Sequence, residues 1–153
     1  MTRYATAMTR ALDEARTAAT HDDVPIGAVI VHRETGEVIA ARHNERELTG
    51  DPCAHAEVLA LRDAATALGS WRLDDYACVV TLEPCPMCAG ALVNARIGEV
   101  VFGATDPKAG ALGSLYNLGA DPRLNHEFPV TSGIEADTAA ALLTTFFAEK
   151  RSR

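Results

Sequence analysis

The chain has 153 residues, of which 48% are hydrophobic, and carries a formal net charge of −7. This length suits one domain that buries a core without disulfide bonds, and the acidic balance argues against indiscriminate nucleic-acid binding. No apolar run reaches the roughly 20 residues that span a bilayer, and the first ten residues lack the apolar core of a secretory signal. We therefore expect a single domain over residues 1–153 that is cytoplasmic and free of the membrane.

Apolar periodicity predicts helices and strands that alternate along the chain. The predicted helices are Thr2–Thr20, Ala54–Leu68, Met87–Ala95 and Asp137–Lys150. The predicted strands are Ile26–Val31, Glu37–Arg42, Tyr76–Leu82, Val100–Phe102 and Phe128–Thr131. A long glycine-rich loop separates the last two strands. This order predicts an α/β fold, a three-layer α/β/α sandwich around a five-stranded mixed sheet.

Cys85 and Cys88 are the pair of residues with the clearest chemistry. Their spacing places both thiols on one side of the first turn of a helix. The partial positive charge at a helix N-terminus favours the thiolate form. Two thiolates suit Zn²⁺, but two sulfur ligands alone do not complete a zinc site.

The segment from His55 to Glu57 supplies the missing chemistry. The 26 residues between Glu57 and Pro84 are enough for a helix, a turn and a strand, so both helix starts can meet at one sheet edge. His55 then provides the third zinc ligand and leaves one position open, as in catalytic zinc sites. If His55 lies at the helix start, Glu57 sits beside the metal and can move a proton.

Other interpretations of the cysteines remain open at this point. Cys85 and Cys88 alone could form a redox pair or a zinc knuckle, and Cys53 is a conceivable fourth ligand of a closed structural site. Cys78, in a β-rich run, is expected to be a core residue.

The order of these motifs resembles the zinc nucleobase deaminases, in which His-x-Glu precedes Pro-Cys-x-x-Cys. Within that cytidine deaminase-like superfamily, the chain is similar to the bacterial tRNA-specific adenosine deaminases from about Val24 to Arg151. The stretches that carry the resemblance are Val24–Val29, His55–Glu57, Thr81–Gly90, Arg96–Gly98, Val101–Ala104, Gly113–Leu115, Asn125–His126 and Phe146–Phe147, with Asp106, Lys108 and Gly110.

The resemblance implies an enzyme that converts adenosine to inosine at the wobble position of a tRNA anticodon. One zinc per subunit is held by His55, Cys85 and Cys88, water attacks carbon 6 of the flipped-out adenine, and Glu57 delivers a proton to the leaving ammonia. Substrate contacts are implied for Asn44, Ala54, Asp106, Lys108, Asn125 and Phe146. The partners implied are the tRNA anticodon loop and a second copy of the chain, with no DNA expected.

Two features of the sequence leave the substrate open. A tRNA enzyme with a charge of −7 needs a local positive strip, which we expect from Arg46, Lys108, Lys150 and Arg151. The same zinc site also serves deaminases of free bases or nucleosides such as guanine, cytosine or adenosine. A catalytically silent RNA-binding subunit would be expected to lack the proton shuttle, and Glu57 is present.

Overall fold

The computed structural model describes residues 3–153. The helices are α1 (Ala5–Ala19), α2 (Arg46–Thr49), α3 (Ala56–Leu68), α4 (Pro86–Asn94) and α5 (Ala136–Arg151). The strands are β1 (Gly27–His32), β2 (Val38–His43), β3 (Tyr76–Leu82), β4 (Glu99–Ala104) and β5 (Val130–Thr131). None of these helices is long and apolar enough to cross a membrane.

The strands form one mixed sheet in the order β2-β1-β3-β4-β5. The β1 strand pairs antiparallel with both β2 and β3, whereas β3, β4 and β5 run parallel. The start of β1 and the end of β3 therefore share one edge, where Ala28 pairs with Val80. The chain leaves β3 at this edge to cross over to the parallel strand β4, so helix α4 begins there.

Helices cover both faces of the sheet and confirm the predicted three-layer α/β/α sandwich. One core cluster packs α3 and α4 against the sheet through residues such as Ala60, Leu92 and Ile30. The opposite cluster packs α1 and α5 through Met8, Leu12 and Ala139. The mostly apolar sequences of β1 and β3 fit this arrangement, because a central strand is buried on both sides.

The structure differs from the sequence-based elements mainly at their ends. The short helix α2 was not predicted, and the predicted strand Phe128–Thr131 shortens to two residues because the Phe128 N–H donates to Gly119 outside the sheet. Thr2, the first residue of the predicted N-terminal helix, lies outside the described residues.

Candidate metal centre and neighbouring loop

Two helix starts meet at the edge of the sheet where β3 ends. His55 is the N-cap residue of α3 and has extended backbone angles, φ −78° and ψ 148°. Cys85 is the N-cap residue of α4, with φ −74° and ψ 174°, and Pro86 follows in the first turn. Proline suits that position because its missing N–H has no partner within the helix in any case. The residue after each cap begins a helix that packs on the same face of the sheet.

These caps bring three potential metal ligands together. The Sγ atoms of Cys85 and Cys88 lie 3.5 Å and 3.4 Å from Nδ1 of His55, and the three ligand atoms all lie within 4.8 Å of one another. Tetrahedral zinc, with bonds of about 2.3 Å to sulfur and about 2.0 Å to nitrogen, separates such atoms by about 3.6 Å. The His55, Cys85 and Cys88 group therefore has the chemistry and spacing to bind one zinc ion.

Electrostatics within this group favour a thiolate. The adjacent Cys88 sulfur and then His55 lower the pKa of Cys85 to about 4, against an opposing effect of burial. The pKa of Cys88 is raised by Cys85, by burial and by the charge of Glu57. The interaction with Cys85 likewise raises the pKa of His55. Cys85 is thus ionised at neutral pH, in the form that binds metal.

Glu57 lies in the first turn of α3 and is only 4% exposed. Burial raises the pKa of its carboxyl group above the usual value, and the charge of His55 acts in the opposite direction. Glu57 follows His55 by two residues at the start of α3, and its carboxylate interacts with the Cys88 side chain. The extended backbone at His55 is what allows both side chains to serve the same site despite a spacing of two residues.

Asn44 and Ala54 are buried next to the start of α3, which carries His55. The Oδ1 atom of Asn44 accepts a hydrogen bond of 2.8 Å from the N–H of Ala56, the first residue of α3. Ala54 is 1% exposed and its carbonyl accepts from the Glu45 N–H. Asn44 is therefore fixed against the helix start that carries His55.

Asp106 and Lys108 lie on a loop that starts where β4 ends. The Asp106 Oδ1 atom accepts from the N–H groups of Lys108 and Ala109, so its carboxylate shapes the turn. Lys108 is exposed. The Asp106 N–H donates in turn to Glu83, two residues before Cys85, so this loop is joined to the strand end beside the metal ligands.

Glu83 and Asp23 are two buried carboxylates to which the sequence analysis gave no role. Glu83, 2% exposed, accepts hydrogen bonds from the loop after β4. Asp23, also 2% exposed, accepts from the N–H groups of Glu47 and Leu48 and so caps α2. An acidic residue close to the start of a buried strand or directly after its end was the available signal in both cases.

Asn125 and Phe146, the two remaining predicted substrate contacts, differ in their exposure to solvent. Asn125 is exposed on the loop before β5. Phe146 is only 5% exposed and packs edge-on against Phe147, which is 42% exposed. Phe146 therefore offers little of its ring to solvent, whereas the ring of Phe147 is exposed.

The sequence around the metal centre matches a known family. Residues 1–104 match the profile of the cytidine and deoxycytidylate deaminase zinc-binding region. The chain belongs to this family. Its ligand group of one histidine and two cysteines is the part of the structure that corresponds to the zinc-binding region.

Similar proteins cover all or most of the chain. The tRNA-specific adenosine deaminase of Bacillus subtilis (strain 168) is 47% identical over 153 residues, which is 100% of this chain and 94% of that protein. A solved structure from a study of A-to-I editing by tRNA:A34 deaminases at the wobble position has a TM-score of 0.85 and 44% identity, covering 89% of this chain and 97% of that one. Guanine deaminase from Nitrosomonas europaea has a TM-score of 0.81 and 28% identity, covering 97% and 86%.

Proposed function

We propose that the chain is a zinc-dependent hydrolase that converts adenosine to inosine at the wobble position of a tRNA anticodon. The observation that carries this proposal is the convergence of His55, Cys85 and Cys88 beside the buried carboxylate of Glu57. The name of the Bacillus subtilis relative, at 47% identity over the full chain, supports the choice of substrate. A tRNA substrate places this reaction in the cytoplasm, and we propose that residues 1–153 act as one domain.

The donor set fits zinc, because two thiolates and one imidazole leave a fourth tetrahedral position for water or substrate. Zinc bound there supplies a water whose pKa is low enough for it to act as a nucleophile at neutral pH. We propose that His55, Cys85 and Cys88 hold the metal in the orientation set by the two helix caps.

Glu57 is the group that we propose moves the proton. The net reaction adds one water to carbon 6 of adenine, breaks its bond to the exocyclic nitrogen and releases ammonia. A carboxylate within reach can accept a proton from the water and deliver it to the departing nitrogen. Burial keeps bulk water away from this carboxylate, so the transferred proton goes to the substrate.

The residues around the metal centre are proposed to hold the RNA. We propose that Asn44 and Ala54, which are held next to the start of α3, contact the edge of a base that has left its stack. Asp106, Lys108 and Asn125 lie on loops, where they would meet the nucleotides next to the target. We propose that Phe147, the exposed ring of the pair on α5, takes the stacking role that the sequence suggested for Phe146.

We also propose that the protein works as a homodimer. An apolar cleft of about 340 Å³ lies between α3 and α4, the two helices that start at the metal centre. Its walls include Val58, Leu61 and Ala65, and Trp71 at its rim is 60% exposed. The resemblance to the tRNA adenosine deaminases implies a second copy as partner, and we propose that it covers this cleft. Light scattering of the purified protein would measure the mass of the assembly directly.

The experiment that tests the substrate is incubation of the purified zinc-loaded protein with anticodon stem-loop RNAs. One RNA carries adenosine at the wobble position, and a matched RNA carries it at a neighbouring loop position only. Sequencing should detect inosine in the first RNA and none in the second. Zinc-loaded protein that makes no inosine but releases ammonia from guanine, cytosine or adenosine would show instead that it is a free-base or nucleoside deaminase.

A further inference from the structure

Glu83 occupies an unusual place between the sheet and the metal centre. It directly follows β3 and directly precedes Pro84 and Cys85. Its side chain is almost fully buried, yet it forms no ion pair with any basic side chain in residues 3–153. A buried carboxylate that lacks a cation must be compensated by hydrogen bonds.

The loop over residues 106–116, called here the 106–116 loop, supplies that compensation. Oε1 accepts hydrogen bonds from the Asp106 N–H, at 3.0 Å, and from the Ser114 hydroxyl. Oε2 accepts from the N–H groups of Leu112 and Ser114, at 3.1 Å and 3.0 Å. Burial raises the pKa of Glu83, but these four hydrogen bonds outweigh it and leave the pKa below the usual value.

The loop is also fitted closely around this carboxylate. A Cβ atom built at Gly110 would lie 2.3 Å from the carboxyl carbon of Glu83, so only glycine allows the backbone to pass there. The Ala111 N–H donates to the Pro84 carbonyl at 2.8 Å, next to the same group. The loop therefore folds around Glu83 and is tied to the two residues that precede Cys85.

This arrangement exposes the side chains that a large substrate would meet. Leu115 and Tyr116 are 54% and 58% exposed, although their backbone N–H groups are held by the carbonyl of Gly110. Lys108 is exposed on the turn that Asp106 shapes. Because every one of these residues lies in the loop anchored by Glu83, their positions relative to Cys85 depend on that carboxylate.

We propose that Glu83 is a positioning residue that fixes the 106–116 loop for RNA binding, and that it acts neither on zinc binding nor on proton transfer. The proposal rests on the proposed function for its substrate. It predicts that loss of the Glu83 hydrogen bonds loosens the loop and weakens RNA binding, while turnover at saturating RNA is maintained.

The test compares Glu83→Gln and Ser114→Ala with the control Glu37→Gln. In Glu83→Gln the side-chain N–H₂ group faces loop groups that are themselves donors, so hydrogen bonds to it are lost. Ser114→Ala removes one hydroxyl donor, at a residue far along the chain from the zinc ligands. Glu37 is an exposed carboxylate between β1 and β2, at the opposite edge of the sheet. Four quantities are measured: zinc per chain, the rate of trypsin cleavage after Lys108, the Kd for the anticodon stem-loop, and KM and kcat for inosine formation.

We expect Glu83→Gln to speed cleavage after Lys108 and to raise Kd and KM about tenfold, the loss expected for one hydrogen bond to a charged group. Ser114→Ala should shift the same quantities in the same direction by less. Zinc content and kcat should stay within about twofold of wild type, as should every quantity for Glu37→Gln. A variant that was merely less stable would lose active protein and apparent kcat without a change in Kd.

Unchanged cleavage and unchanged Kd in both variants would overturn the proposal, as would loss of zinc or of kcat in Ser114→Ala. The proteolysis, zinc and Kd measurements require no turnover. If the wild-type protein forms no inosine, the proposed function fails while these measurements still decide whether Glu83 fixes the loop for RNA.

Discussion

At the scale of single residues, burial decides what Glu57 can do. Its carboxylate lies beside the metal ligands and close enough to Cys78, which is fully buried in β3, for its charge to act on that thiol. Burial, and then the charge of Glu57, raise the pKa of Cys78 well above its usual value. Cys78 is therefore a neutral core thiol, as expected from the sequence.

Replacement of Glu57 by glutamine should separate metal binding from chemistry. Glu57→Gln keeps the size of the side chain but cannot accept and return a proton, so we expect kcat to fall at least about 100-fold. Zinc per chain should remain as in wild type, because the three ligands are untouched. Inosine formation at a rate near that of wild type, measured by sequencing the stem-loop RNA, would remove Glu57 from the proposed mechanism.

At the scale of secondary-structure elements, short polar contacts position the helix α2. Asp23 precedes β1, and its two oxygens accept from the N–H groups of Glu47 and Leu48 at 2.8 Å and 3.1 Å. The same carboxylate contacts Nδ1 of His21 at 2.7 Å. By capping α2, Asp23 ties the segment that follows Asn44 to the rest of the fold.

Loss of this cap should lower stability by an amount that a thermal melt can resolve. Asp23→Ala leaves two N–H groups without partners, and we expect a loss of about 2 kcal/mol, or a Tm lower by about 4–8 °C. Asp137→Ala, at an exposed aspartate in the first turn of α5, is the matched control and should change stability by less than about 0.5 kcal/mol. Equal shifts in the two variants would contradict the capping role.

The elements also show why some features were predictable from the sequence and others were not. Apolar periodicity predicted the long helices and central strands, because those residues are buried against the sheet. The motifs at His55 and Cys85 predicted the metal centre. Each motif lies at the start of a helix, and both helices begin at the same edge of the sheet. The roles of Glu83 and Asp23 were missed, since most of their hydrogen-bond partners are backbone N–H groups more than 20 residues away. Backbone donors leave no trace in the side-chain pattern.

At the scale of the whole molecule, the placement of charge matters more than its sum of −7. The positive charge of Arg46 acts on His55, so one predicted member of the positive strip lies near the metal centre. Asp22 lies between the end of α1 and the start of β1. The start of β1 is at the same edge of the sheet as the end of β3. There Asp22 binds Arg153 at 2.8 Å and approaches Lys150 at 3.9 Å. Two of the basic side chains at the C-terminus are thus already engaged by a carboxylate.

Removal of the Asp22 charge should free these side chains for RNA. In Asp22→Asn, Lys150 and Arg153 lose their acidic partner, so we expect tighter binding of the anticodon stem-loop at low salt. The slope of log Kd against log salt concentration should steepen by about 0.7 for each additional phosphate that a basic side chain neutralises. Asp13→Asn removes the same charge, and a partner of Arg16, from the exposed middle of α1. If both variants steepen the slope equally, the effect is one of net charge alone; if only Asp22→Asn does, the C-terminal end of α5 lies along the RNA.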